Sequence, residues 1–206
     1  MVATQASLDK CLDALAHCEP AFARAMETHG RPCPRLRPTG HTTLLRTIVG
    51  QQVSVAAANS MWNKLVARYG EDPDLAAMSV ATDEEMREAG LSRQKAGYAR
   101  SLAGLVHSGD LDLHSLPADD EEAIAELTKI KGIGRWSAEI YLLFAEGRPD
   151  AFPAGDLAVQ VELGRLLERQ ERPPEKLVRQ WAEDWRPHRG AAAILAWHSY
   201  NAPPLT

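Results

Sequence analysis

Only three cysteines occur, Cys11, Cys18 and Cys33, and none follows Cys33. An odd count at these spacings suits neither a disulfide framework nor a zinc ribbon, so free, buried thiols are expected. The seven histidines are scattered, with no H-x-x-x-H pair, and no catalytic metal is expected. No apolar run is long enough to span a bilayer, and the start of the chain lacks a basic segment followed by an apolar one. The expected protein is therefore soluble and cytoplasmic, with no membrane partner. No segment alternates polar and apolar residues as a half-buried strand does, which predicts an all-α fold. A surplus of positive charge is also missing. The net charge is −5, which on its face argues against nucleic acid as a partner.

What is present qualifies that last exclusion. The 206 residues are 45% apolar, enough for a core in one or two small domains. The acids gather at Glu71-Asp72, Asp83-Glu84-Glu85 and Asp119 to Glu122. Separate basic groups lie at Lys129/Lys131/Arg135, Arg93/Lys95/Arg100 and Arg186/Arg189. Association follows the local field rather than the total charge, so an acidic body with a basic face remains compatible with DNA, at modest affinity in physiological salt.

Helical periodicity runs through the chain. Leu8, Cys11, Leu12, Leu15, Phe22 and Met26 predict one or two opening helices, with Pro20 as a break or second start. The proline-rich stretch 30–38 predicts a loop. Two helices within 42–69 meet at Gly50-Gln51-Gln52, and Ser54 is a plausible cap for the second. A Thr82-x-x-Glu85 capping box starts a short helix ended by Gly90, and Ser92 starts another that runs to Gly109. The charges of Gly90 to Tyr98 suggest a solvated helix face. Pro117 and Asp119 open the next helix. Asp156 to Arg169 predicts a helix with Leu157, Val161, Leu163, Leu166 and Leu167 on its apolar side. A helix carrying Trp181 and Trp185 follows Pro173-Pro174, and the last spans Arg189 to Tyr200. About ten helices are expected, with Trp62, Trp181 and Trp185 in core packing.

The centre of this pattern is Leu127 to Phe144: a helix end, a turn with Gly132 and Gly134 around Ile133, and a new helix from about Arg135. Glycines allow positive φ and close backbone approach, and a helix start aims N–H groups outward. Such a turn can be a plain helix connector. Flanked by Lys129, Lys131 and Arg135, it can also be a phosphate grip.

Lys131-Gly-Ile-Gly-Arg135, followed by Phe152-Pro-Ala-Gly-Asp156-Leu157, resembles the helix-hairpin-helix and Gly/Pro-Asp signature of the base-excision DNA glycosylases, and within them the AlkA-type DNA-3-methyladenine glycosylase II family. The resemblance covers roughly residues 35–200 and implies a helical glycosylase body over 1–206, with two helical subdomains and an active-site cleft between them. An additional N-terminal β-rich domain, present in AlkA, is not expected. The activity implied is monofunctional removal of 3-methyladenine- or 7-methylguanine-type bases from duplex DNA by a monomer. A glycosylase for hypoxanthine, ethenoadenine or an oxidised base, and a non-catalytic DNA-binding module, stay open.

The resemblance also implies residue roles. Lys131, Gly132, Ile133, Gly134, Arg135 and Ser137 would contact DNA, with the amides of Gly132, Gly134 and Ser137 on a phosphate. The carbonyls of Thr128, Ile130 and Ile133 would bind a structural monovalent or divalent cation. Gln52, with Gln51 beside it, matches the wedge that fills the space of the extruded nucleotide, where AlkA has a leucine; a surface turn that caps helix ends is the alternative. Asp156 matches the catalytic aspartate, though its place at a helix start equally suits an N-cap. Trp136 stands where lyase-competent relatives carry a Schiff-base lysine, which implies hydrolysis by water. Trp136, Trp197 and, with less support, Tyr141 match a base pocket. The four-cysteine iron–sulfur loop of some relatives has no counterpart here.

Overall fold

The computed structural model describes residue 2 and residues 4–202. Within them the chain forms twelve α-helices and one 3₁₀ helix, and no strand. They are α1 (Gln5–Cys18), α2 (Pro20–His29), α3 (His41–Gly50), α4 (Val55–Tyr69), α5 (Leu75–Val80), α6 (Asp83–Glu88), α7 (Arg93–Ser108), α8 (Asp120–Thr128), α9 (Arg135–Phe144), α10 (Leu157–Leu166), α11 (Glu175–Ala182), the 3₁₀ turn Glu183–Trp185, and α12 (Arg189–Tyr200).

Most starts follow from local side chains. Ser54 caps α4, Ser92 caps α7 and Asp119 caps α8, and Thr82 with Glu85 forms a reciprocal capping box at α6. Pro20 occupies the first turn of α2, where its missing N–H costs nothing. The count exceeds the expected ten partly because α5 was not anticipated. It has six residues and buries only Met78, too little to show a period.

The chain divides into two compact units. Arg37 to Ala138 forms the continuous unit, with α3 to α8 and the first turn of α9. Here α7 packs on α3, α5 and α6. The face it buries is Ala96, Ala99, Leu102 and Ala103, small enough for neighbouring helices to come close. Leu44, Leu45, Ile48, Met78, Met86 and Leu127 fill the core around it. Each fully buried side chain of this size contributes about 1.5–3 kcal/mol by leaving water.

Residues up to Leu36 and from Glu139 onward form the discontinuous unit. Its middle is α12, in which every residue from Gly190 to Ala196 is buried. Around α12 pack α1, α2 and α10. Phe22 meets Trp185 edge-on at 5.0 Å between centroids, and Phe152 meets the same indole at 6.3 Å. Trp185 and, in the other unit, Trp62 are buried as expected. Trp181 is partly exposed under the Arg169 guanidinium, 5.3 Å from its ring.

Two expectations need correction. Of the cysteines only Cys11 is buried, and burial raises its pKa; Cys18 and Cys33 are exposed thiols. Helix α10 is rotated from the expected face: it buries Val159, Gln160, Glu162, Leu163 and Gly164, while Leu157 is 58% exposed and Val161 is also exposed. The inward polar residues are satisfied, Gln160 by the Ala154 carbonyl and Glu162 by Arg165, so burial did not require apolar side chains there.

Candidate functional site

The turn between α8 and α9 is closed by two backbone bonds, Ile130 N–H to the Leu127 carbonyl (3.2 Å) and Ile133 N–H to the Ile130 carbonyl (3.0 Å). Leu127, Ile130 and Ile133 are buried and pin its underside. The two glycines have different reasons to be there. Gly132 has φ +84, and a Cβ on it would stand 2.2 Å from the Tyr98 ring. The fold requires glycine at that point. Gly134 has no positive φ, and an added Cβ would meet nothing within 4 Å. Packing does not require a glycine there, which leaves open space beside the backbone.

That backbone presents donors. The first helical bond of α9 runs from Ala138 N–H to the Gly134 carbonyl at 3.0 Å. The N–H groups of Gly132, Gly134 and Ser137 reach no acceptor among the described residues. These are the three amides expected on a phosphate. The flanking charges are less available than the sequence suggested. Lys129 pairs with Glu126 at 2.6 Å, and Arg135 forms a two-pronged pair with Glu121, one contact at 2.8 Å. Lys131 has no acid partner among the described residues, and its N–H donates to Ser101 Oγ at 3.1 Å.

The arginines of the other basic groups are also paired with acids. Arg93 and Arg100 both pair with Asp83, and Arg186 and Arg189 both pair with Asp150 and Glu183. Acids and bases that are separate in sequence are folded onto one another, so the expected basic face is weaker than the residue count implies.

The paired glutamines separate. Gln51 Nε2 donates to the Gly132 carbonyl at 2.8 Å, so Gln51 fastens its turn to the hairpin and is not presented as a wedge. Gln52 is exposed and has φ +55, a left-handed backbone that costs a non-glycine residue about 1–2 kcal/mol. Next to it Val53 is exposed, and Val55 is 77% exposed at the start of α4. The turn thus presents a polar side chain on a left-handed backbone beside two exposed valines.

In the discontinuous unit, Phe152 to Asp156 is a rigid approach to α10. Ala154 N–H bonds the Phe152 carbonyl at 2.9 Å, Asp156 N–H bonds the Pro153 carbonyl at 2.9 Å, and the buried Gln160 amide donates to the Ala154 carbonyl at 2.8 Å. Asp156 is the N-cap of α10, which bears out that reading of its place at a helix start and is compatible with the catalytic one. Its Oδ1 accepts from Ala158 N–H (3.0 Å), Val159 N–H (3.1 Å) and the Trp197 indole N–H (3.0 Å). The Trp197 ring packs on Phe144 with centroids 5.5 Å apart. Trp197, expected as a pocket wall, therefore also orients the carboxylate.

The chain that carries these features matches one family profile. That profile, described as HhH-GPD superfamily base excision DNA repair protein, spans residues 45–188. The chain belongs to the HhH-GPD superfamily. DNA-3-methyladenine glycosylase 1 of Schizosaccharomyces pombe is 35% identical over 79% of this chain and 73% of its own length. DNA-3-methyladenine glycosylase 2 of Escherichia coli is 26% identical over 78% of this chain, which spans 57% of that enzyme. Among solved structures, a DNA-3-methyladenine glycosidase from Bacillus halodurans superposes with TM-score 0.85 at 28% identity, covering 93% of this chain and 89% of that one. A 3-methyladenine DNA glycosylase of S. pombe, solved with abasic DNA, superposes at 0.76 with 28% identity, covering 93% and 95%.

Trp136, in the first turn of α9, is 46% exposed, high for a side chain of this size. Tyr141 is 3% exposed, in the core of the discontinuous unit, and offers no open face to a base in this structure. Of the carbonyls expected on a cation, that of Ile130 already accepts the Ile133 N–H. No group of three or more His, Cys, Asp or Glu that could hold a metal ion occurs among the described residues. No helix there is long and apolar enough to cross a membrane.

Two contributors escaped the sequence reading. Gln160 was lost because a polar residue on a buried face carries no periodic signal. Lys95 was assigned to a solvated face, yet its ammonium donates to the Val49 carbonyl at 2.7 Å, and burial lowers its pKa.

Proposed function

We propose that this chain is a monofunctional DNA glycosylase that removes alkylated purines of the 3-methyladenine and 7-methylguanine type from duplex DNA. The observation that carries this reading is the Asp156 carboxylate, aimed by three N–H donors in an HhH-GPD chain. The relatives named for 3-methyladenine support the substrate class.

In the reaction, the bond between the sugar C1′ and the base nitrogen breaks, and its electron pair leaves with the base. Alkylation has already made the purine cationic, so it departs neutral. Positive charge develops on the sugar, and the Asp156 carboxylate stabilises it at fixed geometry, without reorganising. Water supplies the hydroxyl to C1′ and releases a proton. Trp136 carries no amine, so no Schiff base forms and the strand stays intact. Its exposed indole offers a stacking face to a cationic purine, worth about 1–2 kcal/mol when desolvated.

The amides of Gly132, Gly134 and Ser137 hold a backbone phosphate, and Lys131 adds charge beside them. Gln52 enters the duplex as the wedge. The neutral carbonyls of Thr128, Ile130 and Ile133 suit a cation that positions the hairpin on DNA and takes no chemical step. The protein acts as a monomer.

The test is release of free base from methylated duplex DNA, with strand breaks scored before and after alkali. Release of methylated purines, with breaks only after alkali, supports the proposal. Breaks without alkali would reverse the assignment of mechanism. No release from methylated DNA, with release from hypoxanthine or ethenoadenine DNA, would transfer the activity to another lesion.

A further inference from the structure

Helix α7 touches both turns that the proposed function puts on DNA, through residues with no assigned role. Three residues spaced three apart climb one strip of it. Lys95 Nζ donates to the Val49 carbonyl at 2.7 Å, at the end of α3 and one residue before Gly50-Gln51-Gln52. The Tyr98 ring fills the space beside Gly132, and its hydroxyl accepts from Gln94 Nε2 at 2.6 Å. Ser101 Oγ accepts the Lys131 N–H at 3.1 Å. The Gln51 amide completes the circuit by donating to the Gly132 carbonyl at 2.8 Å. All of these residues lie in the continuous unit.

We propose that Lys95 is a positioning residue for duplex opening: by holding the last turn of α3 it fixes the Gln52 turn against the hairpin, so that gripping the backbone and entering the stack occur as one rigid event. A cation at a helix C-terminus complements the carbonyls there, and the part-buried Lys95 stem limits the alternative places its ammonium can go. Gln52 at φ +55 is a strained conformer that needs such support, since released from its neighbours the turn relaxes to ordinary backbone angles. This inference rests on reading the 50–52 turn as the element that enters DNA.

The test separates opening from chemistry. A duplex carries 2-aminopurine beside an abasic site, and fluorescence reports unstacking on binding whether or not any base is released. Base release is measured in single turnover on a paired methylated lesion and on the same lesion in an unpaired bulge. Wild type should unstack the probe. Lys95→Met, which keeps the stem and removes the ammonium, should lose most of the fluorescence rise and slow release about tenfold on the paired lesion, while staying within about twofold on the bulge. Lys95→Arg should recover at least half of the lost signal. Full unstacking by Lys95→Met overturns the proposal, as does equal loss on paired and bulged lesions with a lowered Tm, the mark of a purely structural brace. Unstacking by wild type without release of any base would strike the assigned activity and leave the positioning role standing.

Discussion

Helices α9 and α10 begin in similar ways and use their first turns for opposite ends. At α9 the chain arrives through a glycine, and the Gly134 and Ser137 amides, with that of Gly132 before them, find no acceptor among the described residues. At α10 it arrives through an aspartate, and the first amides are taken up by Asp156 Oδ1. The same kind of donor is thus left open in one place, where the proposed function puts a phosphate, and seats the chain's own anion in the other. Backbone donors left open at a helix start can receive an anion, whereas a carboxylate cap fixes a negative charge there.

Asp156→Asn should break the contrast most severely. An asparagine oxygen still accepts the two amides, so only the charge is lost. Base release should fall about 10²–10³-fold, with Tm and abasic-DNA affinity close to wild type. A collapse of Tm alongside activity would show the cap to be the main role.

Gly132→Ala should act on folding. The added methyl meets the Tyr98 ring at positive φ, and a destabilisation of about 2 kcal/mol is expected in denaturant titration. Trp197→Phe keeps a ring against Phe144 and removes the indole donor from Asp156. Hydrogen bonds to charged groups contribute about 1.5–3 kcal/mol, so release should slow roughly tenfold or more with binding unchanged. Normal kinetics in this variant would return Trp197 to the role of a wall. Gly134→Ala should give the smallest effect, a loss of DNA affinity of about 1 kcal/mol, independent of the lesion and without change in Tm. If its affinity equals wild type while Gly132→Ala unfolds, the hairpin is only a connector.

What could be read from sequence was local. Caps at Ser54, Thr82 and Asp119 act within three residues, and the Gly-Ile-Gly turn and Phe152 to Asp156 are continuous stretches, so their positions were legible. Contacts between distant residues were not. Gln51 is tied to a carbonyl 81 residues away, and Lys95 to one 46 residues away. Arg135 meets Glu121 across the hairpin, so a base that looked available is paired. On α10 the polar residues Gln160 and Glu162 face inward because partners wait there, which inverts the simple rule that apolar residues mark the buried side.

The three donors on Asp156 Oδ1 have a consequence for how this position can change over time. One oxygen starts a helix, receives the Trp197 indole and belongs to the group proposed to do the chemistry. A glutamate keeps the charge but moves the oxygen a methylene away from all three donors, and a serine keeps the cap but discards the charge. Stepwise drift at residue 156 therefore has no neutral first move. Drift has freer ground in the uncovered side chains nearby in sequence, Leu157 and Val161, which are exposed where Asp156 is held by three donors.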